Sequence, residues 1–127
     1  MNESDWMVKA AENLAVADWC QEQGHFNACA NRFYYAMFHA ALAALLKHGM
    51  KPSGEKIGHD WVQANFSGQL IHRRKVFPRK FRQYLVKAFR VRVAADYQLM
   101  PVSKNLVTNE LKKAREFVNT IIDEVSI

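Results

Sequence analysis

The chain has 127 residues, of which 50% are hydrophobic and 24% charged, and this length and composition predict one domain over residues 1–127 and exclude a disordered chain. Lys and Arg (18 residues) outnumber Asp and Glu (12 residues), which gives a net charge of +6. The longest apolar run, residues 40–46, is far shorter than the roughly 20 residues that cross a bilayer, and the N-terminus lacks the basic start and apolar run of a signal peptide, so we expect a cytoplasmic protein.

Two long helices are predicted in the first half of the chain. Ser4 is expected to cap the first, whose apolar residues recur every three or four positions until Gly24 ends it. Asn27 is expected to cap the second, which continues to about His48 and stops at Gly49. Because the apolar stripe of the second helix is unusually wide, this helix is predicted to lie at the centre of a bundle.

Shorter elements are predicted in the middle of the chain. Residues 49–56 contain proline, serine and glycine and are expected to form a loop. A short helix is expected over residues 58–66, and residues 67–78 are expected to be irregular.

Two further long helices are predicted in the second half. Helical periodicity returns over residues 79–97, with basic side chains between the apolar positions, and Pro101 then interrupts it. Ser103 is expected to cap the last helix, which continues to about Val125. No stretch shows the apolar alternation of a strand, so the predicted fold is all-α, a bundle of four long helices and a short one.

The cysteines and glycines exclude several kinds of site. Cys20 and Cys29 lie in apolar helical sequence, which is typical of reduced thiols in a core. His25 lies between them, but these three residues flank a helix break and no fourth ligand is suitably spaced, so we expect no metal. The five glycines are dispersed and form no phosphate-binding loop, and no cofactor is expected.

The positive charge is concentrated in one part of the chain. Between residues 61 and 95 there are nine cations and no Asp or Glu, whereas the other 92 residues carry nine cations and twelve anions. Such a segment favours a polyanionic partner such as RNA, DNA or a nucleotide, or an acidic protein surface. The alternative is a solvated helix face that only keeps the protein soluble.

Two histidines are candidates for proton transfer, because imidazole exchanges protons near neutral pH. His39 follows Arg32 by two helical turns, so both side chains can project from one face of the second helix. A histidine packed among aromatic neighbours is the structural alternative for His39. His59 opens the short third helix and can cap it or line a groove.

Three segments together resemble a known family. They are Asn31-Arg-Phe-Tyr-Tyr-Ala-Met-Phe-His-Ala-Ala, then His59 with Phe66, then Arg92-Val-Ala-Ala-Asp-Tyr97. In this order they resemble the small stand-alone branch of the HEPN domain family, in which an R-x-YYAMFHAA helix, a histidine and an R-x-x-x-DY helix recur. The resemblance covers roughly residues 5 to 125.

The resemblance implies an up-and-down four-helix bundle with a short extra helix, which usually forms a homodimer with a groove between the copies. Many such proteins are metal-independent ribonuclease toxins or defence effectors, and many are encoded beside a minimal nucleotidyltransferase that acts as antitoxin. Others have lost catalysis and bind nucleotides or partners. Metal-free cleavage of RNA needs a base, an acid and a cation that stabilises the phosphorane.

The catalytic pattern of the family is incomplete in this chain. Arg92 matches the family arginine, but no histidine stands four to six residues after it. Asp96 can pair with Arg92 one turn earlier. Tyr97 is a weak base with a pKa of about 10, and the resemblance makes it a candidate for modification with AMP by a nucleotidyltransferase. The alternative for Tyr97 is a ring in the core with its hydroxyl bonded across the bundle.

Two functions follow from these observations. The first is an RNA- or nucleotide-binding protein of the ribonuclease-toxin type, and whether it is an enzyme stays open. Its candidate catalytic residues are Arg92, Asp96, Tyr97, His39 and His59, and its candidate phosphate-binding residues are Arg32, Arg73, Arg74, Arg79, Arg82 and Arg90. The second is a non-catalytic dimeric adaptor that binds a partner protein such as a nucleotidyltransferase.

Overall fold

The computed structural model describes residues 2–54, 57–99 and 101–126, and within these ranges the chain is helical without strands. Its elements are α1 (Glu3–Glu22), α2 (Phe26–Lys47), α3 (His59–Asn65), a π-helix (Phe66–Arg73), α4 (Lys80–Tyr97) and α5 (Lys104–Val125). The predicted all-α class is confirmed. Four long helices, α1, α2, α4 and α5, form the bundle, and α3 is the short extra helix.

Helix α2 occupies the centre of the bundle. It packs against α1, α4 and α5, and its residues 40–45 are all fully buried. This stretch reads Ala-Ala-Leu-Ala-Ala-Leu, and the small alanine side chains let the neighbouring helices approach closely while leucine fills the space between them. The wide apolar stripe therefore predicted the position of α2 correctly.

The predicted caps were right for one helix and wrong for two. Ser103 caps α5 by accepting a hydrogen bond from the Leu106 amide at 3.2 Å, as expected. Asn2, not Ser4, caps α1, because Asn2 and Asp5 each accept a hydrogen bond from the other's backbone amide, forming a capping box.

Helix α2 begins one residue before Asn27 and uses no side-chain cap. The Asn27 side chain instead accepts a hydrogen bond from the Val102 amide at 3.1 Å. This contact fastens the start of α2 to the segment that leads into α5. Gly24 and Gly49 end the first two helices with φ of +76° and +84°, a conformation that glycine adopts without steric cost.

The expectation of irregular structure over residues 67–78 was wrong for its first part, which lies in the π-helix. Phe66, Leu70 and Ile71 are buried, and the wider π turn directs this group of side chains into the core. The backbone then turns at Lys75, whose φ is +54°. Of the predicted loop over residues 49–56, the described part is non-helical and two residues, 55 and 56, lie outside the described ranges.

Cys20 and Cys29 are buried free thiols, as predicted. Burial raises the pKa of Cys29 to about 12, so its thiol stays protonated and unreactive at neutral pH. Within the described ranges, no helix has the length and apolar character needed to cross a membrane.

Candidate functional site

Arg92 lies inside the bundle, between α4 and α2. Its side chain is only 9% exposed, and its Cζ atom lies 5.5 Å, 5.6 Å and 5.3 Å from the ring centroids of Tyr34, Tyr35 and Phe89. A guanidinium near aromatic faces gains cation–π attraction, which offsets part of the cost of removing it from water. The three rings therefore form the walls around this cation.

The ion pair between Arg92 and Asp96 is long. Asp96 follows Arg92 by one turn, as predicted, and its Oδ2 atom lies 3.4 Å from Nη1 of Arg92. The same oxygen accepts a shorter hydrogen bond, 3.0 Å, from Nδ2 of Asn31 on α2. Among the described residues, Nε of Arg92 has no hydrogen-bond partner. The guanidinium is thus buried with a long ion pair and a free donor.

His59 lies in the same aromatic cluster as Arg92. Its ring centroid is 5.5 Å from Tyr34 and 5.5 Å from Phe89, two of the rings that enclose Arg92. Its Nδ1 atom is 2.7 Å from the Tyr34 hydroxyl. Burial, and then the Arg92 charge, lower the pKa of His59, with Asp60 opposing them, so the imidazole is neutral at pH 7.

Tyr34 contacts both Arg92 and His59, and its hydroxyl stays protonated. The residue is fully buried, and burial raises the pKa of its hydroxyl to about 12 despite the opposing effects of Gln63 and Arg92. A protonated hydroxyl 2.7 Å from Nδ1 fixes the orientation of the His59 ring. Tyr34 therefore joins α2 to α3 at this site.

His39 occupies a second cluster, on the α1 side of α2. Its Nδ1 atom is 3.2 Å from Nδ2 of Asn13, and its ring lies 5.2 Å from Trp6. Burial, followed by the charges of Lys9 and Arg32, lowers the pKa of His39 to about 4. These contacts favour the structural role of His39 over proton transfer.

Arg32 connects the two clusters. Its Nη1 donates to Oδ1 of Asn13 at 2.9 Å, and its Nε donates to Oδ1 of Asn31 at 2.9 Å. Its Cζ atom also lies 5.5 Å from the Tyr35 ring, so Arg32 and Arg92 approach the same aromatic side chain. Arg32 and His39 do project from one face of α2, as their spacing predicted, and both bind Asn13.

Five arginines differ from Arg92 because they are exposed to solvent. We call Arg73, Arg74, Arg79, Arg82 and Arg90 the basic surface, because all five are exposed. Successive helical residues turn by about 100°, so Arg92 projects from nearly the opposite side of α4 to Arg90. The sequence had grouped these arginines, and the structure separates them.

Tyr97 stands at the end of α4 and does not join the cluster around Arg92. Tyr97 is 76% exposed. The alternative of a ring in the core was therefore wrong. The neighbouring Leu99 is also fully exposed, so the end of α4 presents apolar surface to solvent.

Several site residues were not identified from the sequence. Tyr34, Tyr35 and Asn31 were quoted only as part of the motif on α2, although Asn31 stands next to Arg32. Asn13 lies on another helix and carries no sequence signal. Within the described residues, no group of three or more His, Cys, Asp or Glu side chains is placed to hold a metal ion.

Comparison with known proteins supports the resemblance that the motifs suggested. A search among curated proteins found no match to this chain. The family model described as the HEPN domain matches residues 3–125, from the start of α1 to the end of α5. This match includes Arg92, His59 and every residue that contacts them. The chain therefore belongs to the HEPN domain family.

Proposed function

We propose that this protein binds RNA or a nucleotide through a phosphate group at Arg92, as a ribonuclease-type member of the HEPN family. HEPN domains are often ribonucleases or nucleotide-binding proteins. The observation that carries the proposal is the buried guanidinium, which has one long ion pair and whose Nε has no partner in the part of the chain that the structure describes.

The energetics of charge burial support this assignment. An ion removed from water costs several kcal/mol unless it is closely paired, and within the described ranges Arg92 has only aromatic contacts and a carboxylate at 3.4 Å. Arginine presents a planar fork of donors that matches two phosphate oxygens. A phosphate at Arg92 would supply the missing compensation.

His59 is the proposed proton-transfer group, in place of the histidine that the family has after its arginine. With Nδ1–H donating to the Tyr34 hydroxyl oxygen, Nε2 carries a lone pair that accepts the proton of an RNA 2′-hydroxyl. The O2′–P bond then forms, the P–O5′ bond breaks, and the imidazolium returns its proton to the leaving 5′-oxygen. Arg92 stabilises the charge on the phosphorane.

The basic surface is proposed to attract RNA whatever its nucleotide sequence. Exposed arginines bind RNA phosphates by releasing counterions, which makes affinity depend on salt. We assign Arg73, Arg74, Arg79, Arg82 and Arg90 to this approach.

Binding to a fluorescein-labelled single-stranded RNA tests the phosphate site. We expect Arg92→Ala to weaken the affinity by about 100-fold, because it removes a buried two-point contact. The matched control, Arg90→Ala, removes an exposed arginine of the same helix and should weaken the affinity by only about 5-fold. Equal affinities of the wild type and Arg92→Ala would reject the site.

Cleavage tests the role of His59. In the presence of a chelator, the wild type should generate RNA ends with a 2′,3′-cyclic phosphate, and His59→Gln should abolish them. His25→Gln is the matched control and should retain cleavage, because His25 is exposed and its ring contacts Trp19. Cleavage that survives in His59→Gln would remove His59 from the mechanism.

A second candidate function is that of an adaptor, and the exposed end of α4 favours it. Tyr97 and Leu99 are both exposed there, a surface suited to a protein partner. We propose a minimal nucleotidyltransferase as this partner and Tyr97 as the residue that receives AMP, in a cytoplasmic homodimer. The Tyr97 oxygen would bond to the α-phosphorus of ATP, releasing pyrophosphate and the phenolic proton.

Mass spectrometry tests this candidate. After incubation with a minimal nucleotidyltransferase and ATP, the wild type should gain the mass of one AMP group and Tyr97→Phe should gain none. Tyr84→Phe is the control, since the Tyr84 hydroxyl is bonded to Glu116 at 3.1 Å. Modification of Tyr97→Phe would exclude Tyr97 as the residue that receives AMP. Light scattering of the wild type determines whether the protein is a dimer.

A further inference from the structure

We propose that Asn31, oriented by Arg32, is a positioning residue that restrains the Asp96 carboxylate and thereby keeps Arg92 available to a phosphate. This inference rests on the proposed phosphate site at Arg92. It assigns roles to two residues of α2 that do not touch the phosphate themselves, and it makes Asp96 a competitor of the ligand.

The geometry around Asp96 shows two donors at one oxygen. Oδ2 of Asp96 lies 3.0 Å from Nδ2 of Asn31 and 3.4 Å from Nη1 of Arg92. Ionic hydrogen bonds between a guanidinium and a carboxylate normally have lengths of about 2.7–2.9 Å. The neutral amide therefore holds the carboxylate more closely than the cation does.

Nothing in the spacing of α4 prevents a closer ion pair. Arg92 and Asp96 are four residues apart, a separation at which side chains on a helix meet readily. A closed pair would use two guanidinium donors and neutralise the charge. Because the Asp96 side chain is 25% exposed, it has room to rotate toward Arg92 if Asn31 releases it.

The orientation of the Asn31 amide is fixed by Arg32. Both Nε and Nη2 of Arg32 donate to Oδ1 of Asn31, so the amide nitrogen must face Asp96. The reversed amide would place its N–H groups against the guanidinium of Arg32 and its oxygen against the carboxylate, and both contacts would be repulsive. Arg32 therefore determines that the amide nitrogen of Asn31, and not its oxygen, faces Asp96.

Arg32 is itself anchored on α1. Its Nη1 donates to Oδ1 of Asn13, and Nδ2 of Asn13 donates to the Lys9 carbonyl at 3.0 Å. The same Nδ2 lies 3.2 Å from Nδ1 of His39, which must then accept the hydrogen bond. Arg32 thus donates in both directions, to Asn13 on α1 and to Asn31 beside Asp96, and each of the two amides has one fixed orientation.

This arrangement predicts opposite effects for Asn31 and Asp96. Loss of the Asn31 amide lets Asp96 close on Arg92, and a phosphate must then displace the carboxylate. Loss of the Asp96 charge removes both the competitor and its repulsion of a phosphate. In the absence of that charge, Asn31 has nothing to restrain.

Affinities for a fluorescein-labelled single-stranded RNA, measured for four proteins, test the inference. We expect Asn31→Ala to weaken binding by about 10-fold and Asp96→Asn to strengthen it by about 5-fold. The double variant should bind as tightly as Asp96→Asn alone. A role of Asn31 in folding only would not be rescued by a change at Asp96.

Two further variants keep the result decisive. Asn31→Leu preserves the side-chain volume and should behave like Asn31→Ala, which covers the case in which the alanine variant does not fold. Asn27→Ala removes a polar residue from the same helix, bonded to Val102, and should leave the affinity unchanged.

The outcomes separate this inference from the proposed function. If Arg92→Ala binds as the wild type does, the phosphate site is wrong. If Arg92→Ala loses binding but Asp96→Asn also weakens it, the phosphate site stands and the inference is overturned. A double variant as weak as Asn31→Ala would likewise overturn the role of Asn31.

Discussion

The molecule carries cations in two different settings, and the contrast between them separates attraction from recognition. The arginines of the basic surface are exposed and hydrated, so each is tolerated at little cost and interacts weakly with any anion. Arg92 is enclosed by three aromatic rings with one distant carboxylate. Under the proposed function, the number of exposed charges sets how strongly RNA is attracted, whereas the position of the buried Arg92 sets where a phosphate binds.

Ion-pair distances show why these settings must be judged separately. Lys80 and Glu116 form a 2.5 Å pair on the surface, shorter than the 3.4 Å pair of Arg92 and Asp96. Solvent screens the surface pair and competes for both of its partners. In the longer pair, Arg92 lies in aromatic surroundings, where its charge interacts more strongly and a free donor is more costly. The Lys80–Glu116 pair therefore has the smaller energetic effect although its contact is shorter.

The largest expected effect is on the salt dependence of RNA affinity, which distinguishes the exposed arginines from Arg92. The triple variant Arg79→Ala, Arg82→Ala, Arg90→Ala should bind single-stranded RNA about 100-fold more weakly than the wild type at low salt, or about 3 kcal/mol, because three phosphate contacts are lost. The slope of log affinity against log salt should fall by about 2, so the defect should shrink as salt rises.

Arg92→Ala is the comparison for the triple variant, because its defect should persist at high salt. One phosphate contact changes the slope by only about 0.7, while the buried guanidinium is poorly screened. Fluorescence anisotropy titrations at several salt concentrations measure both slopes. Parallel slopes for the triple variant and the wild type would show that the basic surface does not touch the RNA.

Sequence patterns located the helices well because the signals are local. The period of apolar residues and the Ser103 cap placed α4 and α5 within one residue of their observed starts. The choice of Ser4 over Asn2 failed because both are good cap residues, and the reciprocal bond with Asp5 decides between them. The π-helix was missed because single-sequence periodicity does not distinguish its wider turn.

The site was predicted only in part, because its contacts are tertiary. The family motifs selected Arg92 and His59, but their meeting around Tyr34 depends on how α3 and α4 pack on α2. Asn13 and Asn31 lie on different helices and are linked only through Arg32. The charge run counted Arg92 together with eight other cations, since a count of cations along the chain contains no information about which one is buried.

Acid stability extends the comparison to histidine, with an expected effect of about 2 kcal/mol. His39 faces Lys9 on α1 and Arg32 on its own helix, and its pKa in the folded protein is about 4 against 6.5 for an unperturbed histidine. Between these values the unfolded chain binds a proton that the folded protein does not, so stability is full above pH 6.5 and falls toward pH 4. Partial exposure of the ring reduces the effect from the full linkage value to about 2 kcal/mol.

Urea unfolding at several pH values measures this linkage. The free energy of unfolding of the wild type should fall between pH 7 and pH 4 by about 2 kcal/mol more than that of His39→Gln. His72→Gln, at an exposed position on the π-helix, should follow the wild type. Identical pH profiles for the wild type and His39→Gln would show that burial of His39 does not disfavour its protonation.

The smallest expected effect concerns what the buried cation costs the fold. Replacing Arg92 by Met and Asp96 by Asn together substitutes an apolar side chain among the three rings and leaves no unpaired charge, so the free energy of unfolding should rise by about 1 kcal/mol. Arg90→Met, on the exposed side of α4, should change it by less than about 0.5 kcal/mol. If chemical denaturation shows that the double variant is the less stable protein, Arg92 is a structural element of the bundle. If it is more stable and no longer binds RNA, the fold retains an under-paired arginine at the expense of stability because a ligand completes its pairing.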